Sequence, residues 1–390
     1  MNRPVYLDNH ATTPVDQRVL TAMLPYFTEY FGNPASAGHA YGWEAESAVN
    51  AARESLARAI NCSPEEIIFT SGATEANNLA IKGVAQAYQH KGKHIITVLT
   101  EHSAVLDPCN YLSQFGFEIT YLPVDHFGLV DPELLEASIR TDTILVSVMW
   151  ANNEIGVFQP LREIAEICDR TNVILHTDAA QAIGKVPIDV QGIPVGLMSL
   201  TAHKIYGPKG IGALYVRRKP RINLVPQLHG GGQERGLRAG TLYPAQIVGF
   251  AKAVELGLAE RATEGARILG MRERLWTKLQ KLGKVHLNGH PTQRLAGNLN
   301  VSIEGVNGNA LHSGLRTIAA VSAGSACSSG RPSHVLRALG RSEELARASL
   351  RFGIGRFNTG EEMETVGDRI CNLITDLRSA KYSGLASIQI

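Results

Sequence analysis

The chain has 390 residues, enough for two domains or one large α/β unit with a well-filled core. Its 38 basic and 36 acidic side chains nearly cancel, and a formal net charge of +2 is too balanced for nucleic acid or an anionic membrane to be the main partner. No apolar core of signal-peptide length opens the chain, no apolar run is long enough to cross a bilayer, and the five cysteines are scattered without metal-ligand spacing, so the expectation is a cytoplasmic protein with no disulfide framework and no metal site.

Taken in chain order, residues 15–257 alternate short apolar strands with amphipathic helices. A strand at 66–70 runs into a small-residue turn, Ser71-Gly72-Ala73-Thr74, that opens a helix. Further strands are predicted at 94–100, 117–123, 143–149 and 173–178, then on either side of a glycine-punctuated turn between 200 and 216. This alternation predicts a large, mainly parallel sheet covered on both faces. Residues 253–282 form a long charged helical stretch suited to joining two domains. Strands near 285–288, 298–303 and 349–353 and a closing helix from 361 to about 378 predict a smaller α+β domain. The division expected is a large domain at 15–257 and a small one made of 1–14 and 258–390.

Three segments carry chemistry. Lys204 stands at the end of an apolar strand, where desolvation disfavours its charged form, and a neutral lysine amine can condense with the aldehyde of pyridoxal phosphate. The bland alternative is a solvated loop lysine. Asp178 ends the buried run 172–178, where open α/β sheets bind ligands, and a carboxylate there can pair with the pyridinium nitrogen of that cofactor. Its alternative is a helix N-cap. Gln181 could hydrogen-bond the ring oxygen, or simply occupy a first helical turn. Backbone N–H groups of Gly72 and Ala73 with the Thr74 hydroxyl could cup a phosphate at a helix N-terminus, although such turns are common.

Of the cysteines, Cys168 and Cys371 sit in helical runs and are expected to be buried and inert, and Cys62 and Cys109 are expected at element edges. Cys327 lies in a run of small residues, 321–330, with little to pack, and is expected to be mobile and exposed. The basic run 217–221 reads as a solvated sheet end or a docking site for an acidic partner.

The motifs Ser71-Gly72-Ala73-Thr74-Glu75, Thr100-Glu101-His102, Asn152-Asn153-Glu154, Asp178-Ala179-Ala180-Gln181, His203-Lys204, the glycine-rich run 230–241 and Ser325-Ala326-Cys327 occur in an order that resembles the NifS/IscS-like cysteine desulfurases, fold-type-I PLP-dependent enzymes of the class V aminotransferase group. The resemblance implies that Lys204 holds the cofactor covalently, Asp178 pairs the ring nitrogen, Gln181 the ring oxygen, and His102 stacks on the ring and shuttles a proton. It implies that Ala73, Thr74, Thr201 and His203 hold the phosphate, with Thr241 arriving from the second subunit of a homodimer. It implies that Arg351 and Asn153 bind the carboxylate of L-cysteine and that Cys327 takes up the sulfur as a persulfide. Alanine is the other product, and the sulfur passes to an iron–sulfur scaffold protein or other acceptors. A selenocysteine lyase, a C–S β-lyase or an aminotransferase would keep Lys204 and Asp178 without needing Cys327. A non-enzymatic protein on the same fold would not need Lys204, Asp178, His102 and Cys327 together.

Overall fold

The computed structural model describes residues 3–322 and 332–386, with side chains described through 379. Among the described residues there are twelve strands: β1 (Val5–Tyr6), β2 (Ile67–Thr70), β3 (His94–Val98), β4 (Glu118–Leu122), β5 (Thr143–Ser147), β6 (Ile174–Asp178), β7 (Leu197–Thr201), β8 (Gly212–Val216), β9 (Val285–Leu287), β10 (Asn298–Ile303), β11 (Ala319–Ala320) and β12 (Ser349–Gly353). Seven of them form the large sheet in the order β2-β8-β7-β6-β5-β3-β4. Every pairing from β7 to β4 is parallel, while β8 runs antiparallel to both β2 and β7.

Period-two side-chain alternation sorts the apolar residues onto two faces. Phe69, Ile96, Val146, Leu175, Met198 and Leu200 enter one core with Leu56 and Phe250. Their neighbours Ile68, Ile95, Leu145, Leu197 and Leu214 enter the other, against Leu79, Val84 and Val105. A third core lies on the antiparallel sheet β12-β10-β9, where Leu299, Val301, Leu350 and Phe352 pack with Ile370 and Ile374. Leu7 belongs to this core, and β1 pairs in parallel with β11, so the N-terminal segment packs on this core.

The long helix spans Pro244–Gln280 and starts earlier than the expected residue 253. Proline at its first turn lacks only an N–H that has no intrahelical partner there, and its φ suits a helix. Cys109, expected at an element edge, lies inside the helix Ser103–Ser113 and is fully buried. No described helix is long and apolar enough to cross a membrane.

The glycine-rich segment is anchored by a buried ion pair. Glu234 accepts from both Arg53 terminal nitrogens (2.5 and 2.8 Å) and from the Phe69 N–H (2.6 Å). The Arg53 guanidinium also stacks 4.6 Å from the Phe69 ring. Glu234→Gln is expected to cost about 3–5 kcal/mol in a urea titration, because it leaves a buried guanidinium without its countercharge. A loss below about 1 kcal/mol would show that the anchor contributes no more than a surface pair.

Candidate active site

β6 and β7 are neighbours in register, Asp178 opposite Ser199, and both end at a cavity of about 540 Å³. Of the residues expected at the site, Lys204, Asp178, Gln181, His102, Ala73, Thr74, Thr201, His203 and Asn153 all line it. These side chains converge from five separate stretches of sequence because parallel strands put their carboxyl ends on one edge of the sheet.

At one end the chain passes from β2 into the helix Ala73–Tyr88 through Gly72, whose φ of +151° favours glycine. β8 approaches so closely that a Cβ on Gly212 would lie 2.6 Å from the Gly72 Cα. No side chain caps this helix, so its first N–H groups face the cavity end lined by Thr74 and Thr201. Glu75 would oppose an anion there, but its carboxylate is held by the Ser71 N–H (2.7 Å) and by Arg238 (2.8 Å). Burial lowers the His203 ring to about 4, with the charges of Lys204 and Lys209 adding to the effect, so it faces the cavity as a neutral imidazole.

Asp178 Oδ1 accepts from the Ala180 N–H (2.9 Å) and Oδ2 from Asn77 Nδ2 (2.7 Å). The first bond closes a turn and caps no helix, since residues 180–185 form turns, and Gln181 likewise stands in a turn and not in a first helical turn. Behind this carboxylate lies Glu101, fully buried, its Oε1 taking the Met149 N–H and its pKa raised by burial. Burial disfavours a charge on this acid.

Lys204 Nζ donates to the carbonyls of His10 (2.6 Å) and Ala11 (2.8 Å), which brings the N-terminal segment to the cavity floor. Thr13 clamps the turn after β7: its N–H and hydroxyl both donate to the His203 carbonyl at 3.0 Å, and its Oγ1 accepts from the Tyr206 N–H.

His102 caps the helix Ser103–Ser113 by accepting the Ala104 N–H at Nδ1 (3.0 Å). Burial lowers its proton affinity against the opposing pull of Asp178. The neutral ring therefore carries its proton on Nε2. A shuttle role would use that N–H as a donor, or would require the Ala104 bond to open.

Arg351 is not among the cavity-lining residues. It is buried beside the cavity, donating to the Asn153 carbonyl (3.1 Å), Asp8 Oδ1 (2.8 Å) and Ser322 Oγ (2.8 Å). Its Nε has no partner among the described residues. Thr241 is exposed and outside the cavity lining of this chain. Cys327 lies outside the described residues. The residues flanking that segment are both tied to the site: Ser322 bridges Arg351, and Ser333 donates to Glu154 Oε2 while His334 Nε2 donates to the Glu101 carbonyl.

Sequence reading missed Asn77, His10, Lys185, Glu101 and Asp8. Lys185 donates to Gln181 Oε1 (2.9 Å), and burial together with the charge of Lys204 pushes its amine down to about 7. Lys185 stands four residues after Gln181, and that spacing was a usable signal.

The arrangement fits pyridoxal phosphate on donor chemistry alone: an amine, a carboxylate, an unshared N–H of Gln181 and an uncapped helix N-terminus share one cavity. The sequence profile of the Aminotransferase class-V family matches residues 5–366. The chain is 55% identical over 381 residues to "Cysteine desulfurase IscS" of Anaeromyxobacter sp. (strain Fw109-5), covering 97% of this chain and 94% of that protein. It is 54% identical over 377 residues to the protein of the same name from Neisseria meningitidis serogroup C, covering 96% and 93%. Among solved structures, "NIFS-LIKE PROTEIN" superposes with a TM-score of 0.90 at 39% identity, covering 96% of this chain and all of that one. "SspA in complex with cysteine" superposes at 0.81 with 38% identity, covering 91% and 100%. With that likeness running through nearly its whole length, the chain belongs to the NifS/IscS-like cysteine desulfurases of the class V aminotransferase family.

Proposed function

We infer that this chain is a pyridoxal-phosphate-dependent cysteine desulfurase that converts L-cysteine to L-alanine and supplies the sulfur to iron–sulfur cluster assembly. The observation that carries this reading is the single cavity that joins Lys204, Asp178, Gln181 and His102 to an open helix N-terminus, in a chain 55% identical to a cysteine desulfurase.

The cofactor, when bound, supplies an electron-withdrawing ring that takes up the charge left when the α-proton of the substrate departs. Lys204 anchors it and then carries that proton. Asp178 holds the ring nitrogen, with its orientation set by Asn77 and the Ala180 N–H. The first-turn N–H groups at 73–74, with Thr201 and His203, hold the phosphate. Arg351 binds the substrate carboxylate as a planar fork, exchanging its contact with Asp8 for it. Cys327 as thiolate attacks the substrate sulfur. An S–S bond forms, the C–S bond breaks with its electron pair retained on carbon, one proton adds at Cβ and the α-proton returns from Lys204 to complete alanine, and the persulfide stays on Cys327.

Two further readings complete the assembly. A homodimer is supported by an exposed apolar group, Phe27, Phe31, Tyr41, Trp43 and Tyr243, beside the 230–241 segment that would carry Thr241 to the neighbouring site. A two-domain division at 15–257 against 1–14 with 258–390 is supported by the separate core that gathers Leu7 with residues beyond Ile268. The compartment is the cytoplasm, where thiols stay reduced as a persulfide-forming cysteine requires.

The test is mass spectrometry of the intact protein after exposure to L-cysteine. The expected result is a gain of one sulfur atom on the peptide containing Cys327, with one alanine released for each persulfide. Pyruvate and free sulfide with no modified cysteine would instead establish β-lyase chemistry.

A further inference from the structure

We propose that Lys185 is a positioning residue: it fixes the side-chain amide of Gln181 so that an N–H, and not a carbonyl, faces the cavity. The amide has four hydrogen-bonding positions. Oε1 receives Lys185 Nζ at 2.9 Å and meets His10 Nδ1 at 3.1 Å. Nε2 donates to the His10 carbonyl at 2.9 Å.

One of these partners admits one orientation only: a backbone carbonyl has no donor, so the His10 carbonyl must face Nε2. Lys185 as an ammonium has donors and no acceptor and favours the same orientation. Rotating the amide by half a turn would set oxygen against oxygen at His10 and lose the bond from the ammonium. With Oε1 an acceptor, His10 Nδ1 must carry the proton of its ring. This leaves Nε2 bare, and that atom is buried with no partner among the described residues. Burial and the charge of Lys185 hold the ring neutral, in agreement with a single ring proton. In either protonation state Lys185 keeps an N–H to give.

Three of the four positions of Gln181 are then spent within the protein, and the fourth is an N–H. Gln181 lines the cavity, so it can offer a donor there and nothing else. A donor suits an anionic ring oxygen and repels a second N–H. Lys185 reaches Gln181 from behind, four residues along, from a second cavity of about 260 Å³ between the two halves of the molecule, which is also lined by His10 and Lys204. It touches neither the substrate nor the cofactor and acts through Gln181 alone. The proposal rests on the reading that Gln181 meets the cofactor ring.

The experiment is a double-mutant cycle on the cofactor-loaded enzyme with Lys185→Met, Gln181→Ala and the double variant. The visible absorbance band and its pH titration are read beside kcat and KM for L-cysteine. Methionine matches lysine in length and removes a costly buried charge, so the fold is kept, and a thermal melt checks this. Lys185→Met is expected to move the band in the same direction as Gln181→Ala and to lower kcat about tenfold with KM within about twofold. In the Gln181→Ala background it is expected to add nothing. Additive effects, or a wild-type band in Lys185→Met beside a shifted band in Gln181→Ala, would overturn the role of Lys185 and leave the reading of Gln181 standing. A wild-type band in Gln181→Ala would overturn both.

Discussion

Replacing Lys204 with alanine is expected to abolish desulfuration, with turnover falling by roughly 10³-fold or more, since the change removes both the anchor and the proton carrier. Borohydride reduction of the wild-type enzyme should fix the cofactor to the peptide that contains Lys204, and the variant should show no fixed cofactor at all. Binding without the covalent bond should persist, because the phosphate end and Asp178 are untouched by the change. A second effect follows from the geometry. Lys204 ties the carbonyls of His10 and Ala11 to the turn after β7, so the variant should also loosen the N-terminal segment. Amide exchange at residues 10–13 would report this separately from the chemistry. Alanine release near the wild-type rate, or cofactor fixed elsewhere, would refute the assignment.

Cys327→Ser is expected to separate the two halves of the reaction. Lys204, Asp178 and the cavity are unchanged, so L-cysteine should still alter the absorbance of the bound cofactor. No persulfide should form and alanine release should fall by roughly 10²-fold or more, because a hydroxyl is a far weaker nucleophile toward sulfur than a thiolate. None of the four described cysteines can take over. Burial pushes the thiols of Cys62, Cys109 and Cys168 up to about 12 and raises that of Cys371. At neutral pH these groups carry almost no thiolate. Alanine and sulfide produced by this variant at the wild-type rate would show that sulfur leaves without a protein thiol.

The strand-and-helix alternation was legible because the strands of the large sheet other than the edge strand β4 are buried on both faces and read as short apolar runs. Asp178 and Lys204 were legible for the same reason: Asp178 ends such a strand and Lys204 stands three residues past one. What the sequence did not disclose were partners brought together over long separations. Asp178 meets Asn77 across 101 positions, Gln181 meets His10 across 171, and Arg351 meets Asp8 across 343. Asn77 carried a faint signal, as a polar residue in phase with the buried face Ala76, Ala80 and Val84 of its helix. The desolvation argument applied to Lys204 holds for Lys185 as well, which sits within a turn after β6 rather than directly at a strand end. Its depth came from the N-terminal segment and the small half closing over it, and no local pattern announces that. The placement of Arg351 beside the cavity likewise depends on a contact between the two halves, its bond to the Asn153 carbonyl.

The helix Pro244–Gln280 gives the molecule a transmission shaft. Its 37 residues make one rod of about 55 Å. One end is clamped in the large core by Ile247, Phe250 and Val254, the other in the small core by Met271, Leu275 and Leu279. Between the clamps, residues 258–267 bury no side chain fully. Ion pairs brace that middle length instead: Glu260 meets Arg18, and Glu264 meets Arg356 of the small half. One continuous element thus carries both cores, and the position of the small half over the cavity is set at points with no contact to the chemistry.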